Sequence, residues 1–202
     1  MGVLMKRAYF IPLMILTHLS SHCVSAQTGM AQGIQPAQRS GWAVPLALAG
    51  VPNLHRVAPN FYRSAQPDAQ GFAEIVKVYG VRTVVSLRAF HSDEPLTKGL
   101  PLRLYDFPMH TWHIEREDVV GALRALRVAT LQEPTLLHCE HGADRTGLIT
   151  ALYRILYQSW SKDAALDEMQ NGDFGFHDVW INIPRYLREI DIVQLKKEVG
   201  AP

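Results

Sequence analysis

Cys139 and Arg145 stand with five residues between them in the stretch Leu136-Leu137-His138-Cys139-Glu140-His141-Gly142-Ala143-Asp144-Arg145-Thr146-Gly147. The residues before the cysteine read as a short apolar strand. Those after Arg145, Leu148-Ile149-Thr150-Ala151-Leu152-Tyr153, turn apolar with helical character. Between them is a loop holding Gly142, where a backbone without a Cβ can turn and approach a ligand closely. Backbone N–H groups of such a loop, with those at a helix N-terminus, form an anion site. The same field favours a cysteine as its thiolate, the nucleophilic form. Arg145 adds a planar fork that suits two phosphate oxygens. Thiolate, amide cradle and guanidinium together fit a phosphoester attacked at phosphorus, whose leaving group then needs a proton donor.

Two further stretches narrow the chemistry: Phe61-Tyr62-Arg63-Ser64-Ala65-Gln66-Pro67 upstream, and Glu168-Met169-Gln170-Asn171-Gly172-Asp173-Phe174-Gly175-Phe176 downstream. With His138-Cys139-x5-Arg145-Thr146-Gly147 they resemble the cysteine-dependent protein tyrosine phosphatases, and among these the bacterial dual-specificity-like phosphatases of the periplasmic TpbA type, over roughly residues 54–195. The resemblance implies a compact α/β fold, a mainly parallel sheet of four or five strands flanked by helices. It implies Cys139 as nucleophile through a phosphocysteine, and Glu140, His141, Gly142, Ala143, Asp144 and Arg145 as the phosphate cradle. His138 is expected to orient the loop from beneath, and Thr146 to donate a hydrogen bond to the Cys139 thiolate. Arg63 either helps hold the phosphate site or is a surface arginine in an ion pair.

The general acid is the open position. In the resembling enzymes it is usually an Asp on the loop before the helix expected over 117–130, where this chain holds Trp112. Glu115, Glu117, Asp118 and His113 lie nearby, and Glu117 is one candidate. Acidic residues also stabilise a first helical turn without any catalytic role. Asp144, directly before Arg145, is the second candidate, as in the myotubularin-like lipid phosphatases; otherwise it caps a helix.

The elements that must position these groups alternate. Strands are expected at 54–57, 61–64, 81–88 and 102–108. The β-branched run Val81-Arg82-Thr83-Val84-Val85-Ser86-Leu87-Arg88 fits a strand buried on both faces. Helices are expected over 68–79, ended by Gly80, over 117–130, from the catalytic loop to 159, from 161 to a stop at Asn171-Gly172, and over 184–197. Strand-helix alternation argues for α/β architecture. Ala89–Gly99, with His91, Asp93, Glu94 and Lys98, reads as a solvated loop that could shape the substrate mouth. The aromatic loop from Asp173 to Trp180 reads either as core or as a cover over the catalytic loop.

At the N-terminus, Lys6 and Arg7 precede the apolar run Ala8–Leu19, and Val24-Ser25-Ala26 offers small residues for cleavage. Residues 1–26 therefore read as a signal peptide, residues 27–53 as a flexible linker rich in Gln, Ala, Gly and Pro, and 54–199 as the phosphatase domain. Export to the periplasm or outside the cell follows, with membrane attachment only if the signal stays uncleaved. Cleavage would remove Cys23 and leave Cys139 as a lone thiol, unusual in an oxidising compartment unless chemistry keeps it there. The 202 residues are 48% hydrophobic and 19% charged with formal net charge +1, as expected of one globular domain, and nothing suggests nucleic acid. No metal or other cofactor is expected, and a monomer is. The substrate expected is a phosphorylated protein, because Glu140 and Asp144 would repel a highly charged ligand. An inositol polyphosphate, or a non-catalytic phosphate-binding module, are the alternatives.

Overall fold

The computed structural model describes Gly2 and residues 40–201. The expected signal peptide, apart from Gly2, and the first part of the expected linker lie outside these residues. Six strands form one sheet: β1 Val44–Pro45, β2 His55–Ala58, β3 Phe61–Ser64, β4 Thr83–Arg88, β5 Arg103–Met109 and β6 Thr135–His138, in the order β1-β2-β3-β6-β4-β5. β3, β6, β4 and β5 run parallel to one another, and β1 and β2 add antiparallel at the β3 edge.

The architecture is the α/β one anticipated, with two departures. The sheet has six strands rather than four or five. The extra strand comes from residues expected to be linker: Val44 pairs with Arg56 and Pro45 with His55. Ala43 and Val51 are buried with it, so composition misled where a few apolar side chains sufficed to fold the segment back.

β6 is the central strand, and its side chains alternate between two cores. Leu136 packs with Phe72, Ile75 and Val84 under helix α1 (Ala69–Tyr79). Leu137 packs with Leu123, Leu126 and Leu148 on the opposite face, beneath α3 (Arg116–Gln132) and α4 (Asp144–Tyr157). This is the period-2 geometry of a strand covered on both sides. Between α1 and α3 the chain forms a short helix, α2 (Glu94–Thr97), inside the segment expected to be open loop.

Capping chemistry sets the ends. The Asp68 side chain accepts from Gly71 N, and Gly80 closes α1 at φ +67°. Ser161 caps α5 (Lys162–Asn171) by accepting from Ala164 N. The single last helix expected over 184–197 is two, α6 (Asn182–Glu189) and α7 (Ile192–Val199). The break falls at Ile190-Asp191, where the Asp191 side chain accepts from Gln194 N and starts a new helix. Asp-x-x-Gln is a variant of the capping-box pattern, a signal outweighed in the sequence reading by continuous apolar periodicity.

Candidate active site

Cys139 follows the last residue of β6 and is buried at 1% exposure. The loop after it runs straight into α4, whose first residue is Asp144. Every carbonyl on the loop's crest is taken by a donor from one upstream segment. Glu140 O accepts from Gln66 N at 3.1 Å. His141 O accepts from Asn53 Nδ2 at 2.9 Å, and Gly142 O from Arg63 Nη2 at 2.6 Å. The backbone N–H groups from Glu140 to Arg145 find no acceptor among the described residues. In a trans peptide the N–H and C=O point opposite ways, so carbonyls held outward leave the amides turned inward, a concave donor array suited to an anion.

Gly142 is required for this shape. Its φ is +70°, and a Cβ there would lie 2.5 Å from Ala65 N and from the Ser64 carbonyl. The Tyr-Arg-Ser-Ala-Gln-Pro stretch is thus the outer wall of the loop.

Arg63 is no surface ion-pair residue. It is 1% exposed, bonded to Gly142 O, and its guanidinium lies 3.7 Å from the centre of the Phe174 ring. Burial pulls its pKa down to about 10, with the charges of Glu168 and Cys139 opposing, so it remains a cation at neutral pH beneath the loop.

Arg145 lies over the strand ends. Its Nη1 donates to Met109 O at 3.1 Å and Leu87 O at 3.3 Å, the C-terminal carbonyls of β5 and β4. Its Nε is buried with no hydrogen-bond partner. Its Nη2 is only loosely paired with Glu140, at 3.9 Å. Two anchored bonds therefore orient the fork and leave donors over.

His138 is fully buried. Its Nε2 meets Asp93 Oδ2 at 2.8 Å, and its Nδ1 lies 3.3 Å from Cys139 O. Asp93 was missed as a supporting residue, because it sits in what reads as a polar loop. Burial pushes its carboxyl up, but the hydrogen bond and charge of His138, then the Gln66 amide, outweigh this and hold it below its ordinary value. Gln66 links on to Arg88 Nη1 at 3.0 Å.

Thr146 Oγ1 is buried and has no hydrogen-bond partner. The expected bond to Cys139 is therefore not made.

A cleft of about 220 Å³ opens beside the loop, lined by Glu140, His141, Asp144 and Arg145, with Thr111 and His177 on its walls. Of the two acid candidates, Asp144 is in this cleft and Glu117 is not. Glu117 is exposed in the first turn of α3, as is Glu115 just before it. Burial, followed by Glu115 and Glu117, pushes the Asp118 carboxyl up, but Asp118 does not line the cleft either.

Asp144 is committed elsewhere. Its Oδ1 accepts from His177 N at 2.9 Å and its Oδ2 meets His177 Nδ1 at 2.8 Å. The aromatic loop that carries His177 therefore does cover the loop between Cys139 and Arg145. Phe174 lies against Arg63, and Phe174 O accepts from the same Asn53 that holds His141 O.

A Cys-x5-Arg loop at the end of a central parallel strand, opening a helix and walled by a buried arginine, fits the dual-specificity phosphatase fold. The family model described as a DSP-PTPase phosphatase fused to NAD+ kinase matches residues 53–179, and the chain belongs to this family. It is 41% identical over 145 residues to the dual specificity protein phosphatase TpbA of Pseudomonas aeruginosa, a match that covers 71% of this chain and 65% of that protein. The chain thus spans slightly under two thirds of the length of that relative. The crystal structure of TpbA superposes with a TM-score of 0.71 at 37% identity, over 80% of this chain and 98% of that one. TpbA has also been solved as a cysteine-to-serine variant in complex with pTyr, with the same TM-score. An inositol diphosphatase of Arabidopsis thaliana is 28% identical over 159 residues, covering 74% of this chain and 75% of that protein.

Proposed function

We propose that the protein is a cysteine-dependent phosphomonoesterase acting on a phosphorylated protein, with an aryl phosphate as its preferred group. One observation carries this reading: the carbonyls of Glu140, His141 and Gly142 are held outward by Gln66, Asn53 and Arg63, leaving the loop amides unpaired around Cys139. A phosphate monoester bound there would have its non-bridging oxygens on the amides and the Arg145 fork, donors already fixed before reaction. The Cys139 thiolate attacks phosphorus, and the leaving oxygen departs with a proton. Water then attacks the phosphocysteine, and the thiolate and inorganic phosphate are released.

Three things support an aryl substrate. The cleft carries the carboxylates of Glu140 and Asp144, which disfavour a polyanion. Phe90 and Trp112, both exposed, stand on either side of the half-buried His110 in an aromatic ladder with ring centres 5.4 Å and 4.6 Å apart, and Thr111 beside it lines the cleft. The relative TpbA was crystallised with pTyr. The basic and apolar run at residues 6–19, followed by Val24-Ser25-Ala26, supports export and action in the periplasm or outside the cell.

The test is hydrolysis of a phosphotyrosine peptide and of inositol hexakisphosphate by wild type and Cys139→Ser. Turnover of the peptide by wild type, lost in Cys139→Ser with peptide binding retained, is expected. Preference for the inositol substrate would overturn the substrate class. Binding without turnover by wild type would leave a phosphate-binding module, and undiminished turnover by Cys139→Ser would remove the nucleophile.

A further inference from the structure

The proposed reaction needs a proton donor for the leaving group, and neither carboxylate singled out in the sequence is placed to serve: Glu117 does not line the cleft, and both oxygens of Asp144 are taken by His177. Resting on the phosphatase reading above, we propose that His177 is the general acid and base, with Asp144 as the residue that positions it.

The geometry is that of an aspartate–histidine couple. Asp144 stands in the first turn of α4, next to Arg145, with its side chain 4% exposed. Both its oxygens face His177: Oδ1 takes the backbone N–H at 2.9 Å and Oδ2 lies 2.8 Å from Nδ1. A carboxylate that already accepts a backbone N–H is held as an acceptor, so the proton between Oδ2 and Nδ1 belongs to the ring. That fixes the tautomer. The free nitrogen is Nε2, which makes no hydrogen bond within the described residues, on a side chain 45% exposed at the wall of the cleft that holds Arg145.

The backbone of His177 is anchored on both sides, since its carbonyl accepts from Trp180 N at 3.0 Å. Its ring also meets the His141 ring edge-on at 5.2 Å. The charged and titratable groups that share the cleft with it are Asp144, Arg145, Glu140 and His141. An imidazole held this way can give a proton at Nε2 and then take one there.

The steps balance. As the Cys139 Sγ–P bond forms and the P–O bond breaks, the Nε2 proton moves to the leaving oxygen and a neutral phenol or alcohol departs. The ring is then neutral. In the second half, Nε2 takes a proton from the attacking water as its oxygen bonds to phosphorus. The S–P electron pair returns to Sγ, phosphate leaves, and the imidazolium is restored.

The experiment compares phenyl phosphate with 2,4-dinitrophenyl phosphate, whose leaving group needs no proton. The variants are His177→Asn, which keeps a donor near the Nδ1 position but removes Nε2, and Asp144→Asn. His177→Asn should lose on the order of 100- to 10,000-fold in kcat/KM on phenyl phosphate, the range general acids contribute, and less than about 10-fold on the dinitrophenyl ester. Asp144→Asn should show the same split in weaker form. A purely structural role for His177 would depress both substrates equally, and that result overturns the proposal, as does no loss on either. Wild-type inertness toward both esters would overturn the phosphatase reading itself, and the acid assignment with it.

Discussion

At Gly142 one atom decides whether the proposed phosphate cradle can form. The residue sits at φ +70°, and an added Cβ would lie 2.5 Å from the backbone of Ser64 and Ala65. Gly142→Ala must therefore either open the loop or displace the wall that holds its carbonyls. A cost of about 1–3 kcal/mol from the left-handed backbone alone is expected, with kcat/KM falling at least ~100-fold, because misplacing the cradle by an ångström is felt directly in the rate. Thermal unfolding alongside kinetics with p-nitrophenyl phosphate checks both, and a variant with wild-type rate would show that the loop tolerates another path. Trp112 is a residue of a different kind. It is 65% exposed and stacked on His110, so its removal should cost little stability. If the aromatic ladder receives the substrate ring, Trp112→Ala should raise KM for a phosphotyrosine peptide about 2- to 10-fold, corresponding to the roughly 0.5–1.5 kcal/mol of an aromatic pair, with kcat nearly unchanged. Steady-state kinetics on the peptide and on a small alkyl phosphate would separate this from a general loss.

The elements around the site were legible in the sequence to very different degrees. β6, the loop and α4 were plain, because Cys139, Arg145 and the apolar run to Tyr153 are local signals within one strand–loop–helix unit. α1 was plain for the same reason, bounded by Asp68 and Gly80. What could not be read were partnerships across the chain. Asp93 looks like any acidic loop residue, yet α2 turns it into the buried partner of His138, 45 positions away in sequence. His177 looks like one more residue of an aromatic loop until α4 brings Asp144 to it, and α6 and α7 parted because Asp191 caps a second helix. The α2 linkage has a pH consequence. The folded state holds the Asp93 carboxyl below its ordinary value, so its ionised form contributes stability that is fully present above the unfolded carboxylate pKa of about 3.9. That stability is lost as pH falls from there through the lower folded value. Asp93→Asn should therefore be destabilised at neutral pH by about 1.5–3 kcal/mol, the magnitude of a hydrogen bond to a charged group. The gap to wild type should narrow on acidification below about pH 4, the carboxylate range. Denaturant titrations at neutral and acid pH give the comparison; a gap that stays constant with pH would mean the Asp93 charge is not coupled to folding.

On the scale of the whole described fold, the N-terminal segment is what distinguishes the molecule from the minimal phosphatase unit expected at 54–199. Ala43 N donates to Glu168 Oε1 at 2.7 Å, and Glu168 is at the same time paired with Arg154 through two bonds of 2.8 Å and 2.6 Å. Arg154 reaches on to Val57 O in β2 at 3.3 Å and stacks over Trp160. This buried pair thus ties β1, β2, α4 and α5 together behind the catalytic loop, and its charge also bears on Arg63. Asn53, at the other end of the segment, holds both His141 O and Phe174 O, so it joins the loop of Cys139 to the loop of His177. A protein beginning at Leu54 would lose β1, the Ala43 bond to a charged acceptor and both Asn53 bonds. Taking about 1.5–3 kcal/mol for the Ala43 bond and about 0.5–1.5 kcal/mol for each Asn53 bond, the loss from these three bonds is on the order of 2.5–6 kcal/mol, a large share of a typical domain's stability of about 5–15 kcal/mol. The two effects separate by variant. Glu168→Gln leaves Arg154 buried beside a neutral amide and should destabilise by about 3–5 kcal/mol, as breaking a buried pair does, with the rate per folded molecule little altered. Asn53→Ala should cost less stability and more rate, because it frees the carbonyl of His141 at the loop's crest. Unfolding and kcat/KM measured for a chain starting at Ser40, one starting at Leu54, and these two substitutions in the longer chain would decide it. If the shorter chain matched the longer in both, the segment from Ala43 to Asn53 would be an ornament of the sheet edge and not part of what holds the site.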